Sequence, residues 1–122
     1  MKILIIDDED DIRKIARLGL GRVGKMDVVD ASSGSEGVQK AIDEKPDAIL
    51  LDVMMPGMDG PATLAALRNN PATAGIPIVF LTAKAMASEI ERLKGLGATG
   101  VLTKPFDPMA LAAQVRAVLE QK

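Results

Sequence analysis

Ala48-Ile49-Leu50-Leu51-Asp52-Val53-Met54-Met55-Pro56-Gly57-Met58-Asp59-Gly60 is the stretch that decides the fold. Four apolar residues run straight into a carboxylate, and a turn-rich segment follows at once. A continuous apolar run of this length bounded by turn residues reads as a strand buried on both faces, so Asp52 sits where a strand stops. Three other runs end the same way: Ile3-Leu4-Ile5-Ile6 leads into Asp7-Asp8, Ile78-Val79-Phe80-Leu81 into Thr82, and Val101-Leu102-Thr103 into Lys104-Pro105. Placed side by side in one parallel sheet, these runs bring three acids, a hydroxyl and an ammonium to the edge where open α/β sheets bind ligands.

Helical patterns fill the intervals. Ile12, Ile15 and Ala16 mark the inner face of a first helix, which Gly19 and Gly21 weaken at its end by up to about 1 kcal/mol each relative to alanine. Met26 to Ala31 forms a short second strand. Ser33 with Glu36 makes a capping box for a second helix that turns Val38, Ala41 and Ile42 inward and closes at Pro46. Asp59 caps a third helix with Pro61 in its first turn and Leu64 and Leu67 inward, ended by Asn69-Asn70-Pro71. Met86, Ile90, Leu93 and Gly97 form the stripe of a fourth, and Asp107-Pro108 opens a fifth that buries Leu111, Val115, Val118 and Leu119. Five such strand–helix units predict an α/β fold: a doubly wound, five-stranded parallel sheet in the flavodoxin-like order 2-1-3-4-5, with helices on both faces and right-handed crossovers. Its switch point lies between the first and third strands, which makes Asp7, Asp8 and Asp52 neighbours.

Composition narrows the chemistry. With 122 residues the chain is expected to be one domain over 1–122. It contains no cysteine and no histidine, which removes thiol catalysis, Cys-based zinc sites, the commonest general base and any phosphohistidine on this chain. Fifteen basic against seventeen acidic side chains, without a basic cluster, give no footprint for nucleic acid. No apolar run approaches the roughly 20 residues of a membrane span, and no signal peptide is present; a cytoplasmic location is expected. The seven methionines read as gap-fillers, with Met58 and Met86 candidates for exposure near the site.

Asp7, Asp8 and Asp52 against Lys104 leave the site at about −2 when all are ionised. Like charges this close either raise a pKa or take up a cation. The ligands are hard oxygens, which suit Mg²⁺ and do not suit zinc or copper. A bound Mg²⁺ would neutralise the site and invite a phosphoryl group, with an aspartate as nucleophile and Lys104 and Thr82 on the phosphoryl oxygens. Asp10 and Asp11 read instead as first-turn carboxylates that suit the helix dipole, and Ile12 stands where a calcium loop starting at Asp8 needs an oxygen ligand.

The acidic pair Asp7-Asp8, Asp52 with Met55-Pro56-Gly57-Met58-Asp59-Gly60, Thr82-Ala83 and Lys104-Pro105-Phe106 together resemble the receiver domain of two-component response regulators, over the whole chain. The resemblance implies that Asp52 is the phosphoacceptor, served by a sensor histidine kinase or a histidine phosphotransfer protein. It implies Mg²⁺ on Asp8, Asp52 and the Met54 backbone carbonyl, with Asp7 supporting it through water. Thr82 becomes the switch hydroxyl, Lys104 the phosphate-binding lysine, and the peptide bond before Pro105 is expected to be cis. Phosphorylation then changes the surface of the fourth helix, fifth strand and fifth helix for a downstream effector, with the protein a monomer or a phosphorylation-dependent dimer. Val101 departs from the family, which usually carries an aromatic there. Met54 and Lys84 occupy flanking positions that tune the lifetime of the phosphoryl group. Such a protein is a switch that acts only on its own phosphorylation state. Two other classes stay open: a constitutive binding module, and an aspartyl-nucleophile phosphohydrolase using Asp8-Glu9-Asp10. No output domain follows the fifth helix in this sequence, so the reading allows either a stand-alone receiver or one domain of a longer regulator.

Overall fold

A computed structural model describes residues 1–84 and 86–120. The strands are β1 (Lys2–Ile6), β2 (Asp27–Ala31), β3 (Ala48–Asp52), β4 (Ile78–Thr82) and β5 (Gly100–Thr103), and the helices are α1 (Asp10–Arg17), α2 (Gly34–Glu44), α3 (Gly60–Arg68), α4 (Ala87–Gly95) and α5 (Leu111–Glu120). All strands pair in parallel in the order β2-β1-β3-β4-β5, as the sequence predicts. β3 and β4 are buried along their whole length.

The sheet divides the core in two. Ile3, Ile5, Leu50, Val79 and Leu81 pack on one face with Ala16, Leu20, Leu111 and Val115 of the flanking helical segments. Leu4, Ile6, Ile49, Leu51 and Phe80 pack on the other with Ala41, Leu64, Leu67 and Leu93. Residues alternate faces along each strand, so every strand feeds both layers. Among the described residues, no helix is long and apolar enough to cross a membrane.

Several local expectations shift. Ile15 is 36 % exposed, because the buried stripe of the first helix runs through Ile12, Ala16 and Leu20 and leaves Ile15 on its flank. The helix does not fray at its glycines. It widens into a π-helical turn over Leu18–Val23, and a β-carbon on Gly19 or Gly24 would lie 2.6 Å from the Pro108 carbonyl oxygen or 2.5 Å from the Ala112 β-carbon. Gly19 admits the Pro108 backbone ahead of α5 and Gly24 admits Ala112 of its first turn, and Arg116 Nη2 fastens α5 by donating to the Gly24 carbonyl at 2.7 Å. The second strand begins at Asp27, one residue after the expected Met26. Ser33 Oγ accepts from the Glu36 amide at 3.2 Å as a cap should, but Glu36 reaches back to the amide of Ser32 at 2.6 Å, so the box closes one residue early. Met86 precedes α4, with an extended backbone and 65 % exposure, and Leu93 alone of its stripe is fully buried. Asp107 makes its turn as expected, its carboxylate accepting from the Met109 amide at 2.9 Å, with α5 proper starting at Leu111.

Gly24→Ala is expected to cost about 1–3 kcal/mol in urea unfolding, since the new methyl has no room against α5. Gly75→Ala, whose β-carbon meets nothing within 4 Å, is expected to stay within about 0.5 kcal/mol of the parent chain.

Candidate functional site

Each strand that ends at the switch-point edge delivers one group. Ile6 pairs with Leu51, so the next residues in register are Asp7 and Asp52. Thr82 ends β4 opposite Thr103 of β5, which carries the chain to Lys104. Asp7 is fully buried, and Asp52 and Thr82 are only 3 % and 4 % exposed. A buried carboxylate requires partners, and both acids find the same one. Lys104 Nζ donates to Asp7 Oδ2 and to Asp52 Oδ1, each at 3.0 Å.

The backbone completes the pocket. The amide of Glu9 donates to Asp7 Oδ1 at 2.9 Å, Arg13 Nη1 donates to the Asp7 carbonyl at 2.7 Å, and the Lys104 amide donates to the Thr82 carbonyl at 2.7 Å. The Met54 amide approaches Asp52 Oδ1 at 3.4 Å. Thr82 Oγ1 accepts from the Lys84 amide at 3.0 Å, which leaves its O–H to donate. Thr82 does not cap α4, whose N-cap residue is Met86. The Lys104–Pro105 peptide bond is cis.

Burial pushes the Asp52 carboxyl up to about 6; the Lys104 hydrogen bond opposes the rise and the Asp7 charge reinforces it. Burial also works against the Lys104 charge, but the hydrogen bonds to Asp52 and Asp7 outweigh it and hold the ammonium above its usual range. One lysine therefore stays protonated while the acids around it exceed its charge.

Oxygens of Asp7, Asp8, Glu9 and Asp52 lie within 4.8 Å of one another. Hard carboxylate donors gathered so closely, two of them buried, fit a hard divalent cation such as Mg²⁺. Asp8 and Glu9 are exposed, whereas Asp7 and Asp52 are buried. Glu9 is the member that the sequence reading missed. An exposed acid beside an acidic pair carries no distinguishing signal until the loop is folded. Asp10, the second acid of the Asp8-Glu9-Asp10 run, binds the Arg13 guanidinium and lies outside the cluster. Of the two methionines expected to be exposed, Met86 is, at 65 %, and Met58 is half-buried, while Met54 beside Asp52 is 74 % exposed.

A family model described as "Response regulator receiver domain" matches residues 3–116. The alkaline phosphatase synthesis transcriptional regulatory protein PhoP of Bacillus subtilis is 43 % identical over 122 residues, covering 98 % of this chain and 49 % of that protein. The phosphate regulon transcriptional regulatory protein PhoB of Pseudomonas aeruginosa is 39 % identical over 121 residues, covering 98 % and 52 %. The chain thus spans about half the length of these curated relatives. Among solved structures, the chemotaxis response regulator CheY4 of Vibrio cholerae superposes with a TM-score of 0.88 at 34 % identity, covering 96 % of this chain and 97 % of that one.

The raised Asp52 value fixes the sign of a pH effect. A carboxyl whose folded value of about 6 exceeds its unfolded value of about 3.9 destabilises the fold as pH rises through that window. In chelator, the stability advantage of Asp52→Asn over the parent chain is expected to grow by about 2 kcal/mol between pH 4 and pH 7.5 in denaturant titrations.

Proposed function

The chain belongs to the response regulator receiver domain family, and from that premise we propose that it is a phosphoacceptor switch in which Asp52 takes a phosphoryl group from a histidine kinase or histidine phosphotransfer protein. The observation that carries this reading is Lys104 Nζ held at 3.0 Å from both Asp7 and Asp52, with Thr82 ending the neighbouring strand. Receiver domains are signalling switches, and no external substrate is turned over.

An Asp52 carboxylate oxygen attacks phosphorus, a P–O bond forms, the P–N bond of the donor phosphohistidine breaks, and the imidazole nitrogen keeps the electron pair. With a value of about 6, Asp52 is mostly ionised at neutral pH and competent to attack. Lys104 already touches the attacking carboxylate and needs only a small movement to meet a phosphoryl oxygen, supplying a charge-assisted hydrogen bond. Thr82 offers its hydroxyl to another. Asp7, Asp8 and Asp52, with the Met54 carbonyl, are the groups we assign to Mg²⁺, which when bound neutralises the carboxylates and the incoming phosphoryl oxygens.

The product adds a dianion to the end of β3, draws Thr82 toward it and moves the β4–α4 loop. Val101 is half-buried against the core cluster that includes Phe80 and Leu93, so no aromatic ring swings at that position and the signal passes through Thr82 and its loop. We propose that a downstream effector reads the α4–β5–α5 surface, that the protein works in the cytoplasm, and that residues 1–122 act as one unit, monomeric or dimerising on phosphorylation.

Intact-mass analysis after incubation with acetyl phosphate tests this reading. One added phosphoryl group is expected, dependent on Mg²⁺ and absent in Asp52→Ala, and Lys104→Met is expected to slow its addition on the order of 10²-fold. An adduct that survives Asp52→Ala would refute the assignment.

A further inference from the structure

Glu9 sits at the N-cap of α1 without capping it. Its side chain makes no hydrogen bond to the helix, and glutamate is not among the residues that cap well. Its backbone is nonetheless pinned on both sides, the amide donating to Asp7 Oδ1 at 2.9 Å and the carbonyl accepting from the Arg13 amide at 3.2 Å. This fixed backbone hangs the carboxylate over the mouth of the pocket, with Oε1 at 3.8 Å from Lys104 Nζ and an oxygen within 4.8 Å of those of Asp7, Asp8 and Asp52. Its neighbours behave differently. Asp10 is held by Arg13, and Asp11 is an exposed acid outside the group.

Counting Glu9 changes the electrostatics. Four carboxylates against Lys104 leave about −3 when all are ionised, where the acidic pair and Asp52 alone leave about −2. Lys104 cannot serve them all: it already makes its two short contacts with Asp7 and Asp52, and Glu9 stands 0.8 Å beyond that distance, comparing 3.8 with 3.0 Å. A side chain 61 % exposed, on the solvent side of two buried acids, is placed to meet a cation as it enters.

We propose that Glu9 is a fourth carboxylate of the divalent-cation site and raises its affinity. The inference rests on the reading that Asp7, Asp8 and Asp52 take Mg²⁺, and adds a residue which that reading does not contain. Glu9 acts on the cation directly and takes no part in phosphoryl transfer. Because its side chain lies largely in solvent, Glu9→Gln keeps the fold and removes only the charge.

Calorimetric titration of the full chain with MgCl₂ at about 0.15 M ionic strength, where exposed charges are screened beyond about 8 Å, and at pH 7.5 tests it. Glu9→Gln is expected to weaken binding on the order of five-fold, while Asp11→Asn, which removes the same charge from outside the cluster, changes it less than about two-fold. Equal effects from the two variants would mean a diffuse field and would overturn the role of Glu9, as would an unchanged constant in Glu9→Gln. Asp8→Asn separates the underlying reading: if it binds Mg²⁺ as the parent does, or if the parent binds none, the cation site itself is wrong and the proposal falls with it.

Discussion

One ammonium group stands between two buried carboxylates, and the rest of the molecule is arranged to keep it there. Asp7, Asp52 and Lys104 come from three strand ends, separated by 45 and 52 positions in sequence, and meet within 3.0 Å. Burying any of them alone would be prohibitive. Burying them together leaves a net negative site whose strain appears on Asp52, pushed up to about 6 by desolvation. This trio is a poor stabiliser of the fold and a ready acceptor of positive charge.

The scaffold explains how that arrangement is held. β3 and β4 are buried throughout, so their registers are fixed by the apolar residues of both faces, and with them the positions of Asp52 and Thr82. Lys104 is fixed from the other side: its amide donates to the Thr82 carbonyl, and the segment after it leads to Pro108, against whose backbone Gly19 is packed. Packing between the π-helical turn and α5 thus reaches back to the residue that balances the charge. No buried side-chain nitrogen or oxygen among the described residues lacks a hydrogen-bond partner, so the electrostatic tension is confined to the cluster.

The parallel five-stranded sheet and all of Asp7, Asp52, Thr82 and Lys104 were legible in the sequence, because continuous apolar runs that end in polar residues admit few other arrangements, whereas the strand order rests on the common solution for five strands. The resemblance to receiver domains supplied what spacing alone cannot, including the cis bond before Pro105. Other features depend on tertiary contacts. The π-helical turn at Leu18–Val23 lies where Pro108 and Ala112 close on Gly19 and Gly24, contacts between residues distant in sequence. Ile15 was misplaced because a 3.6-residue period leaves flank positions ambiguous, and Met86 because α4 begins only at Ala87, which leaves Met86 at the N-cap and exposed. Glu9 was invisible because its exposure and chemistry match those of Asp10 and Asp11, and only the folded loop turns it toward Lys104.

Asp52 belongs to an over-acidic site restrained by a single lysine, which a divalent cation would relieve. Carbon-detected NMR titration of the Asp52 carboxyl, with and without saturating Mg²⁺, measures this directly. The account predicts a midpoint near 6 in chelator that falls by about 1–3 units when the cation is present. A midpoint near the ordinary 3.9 in chelator, or one that Mg²⁺ leaves in place, would contradict it.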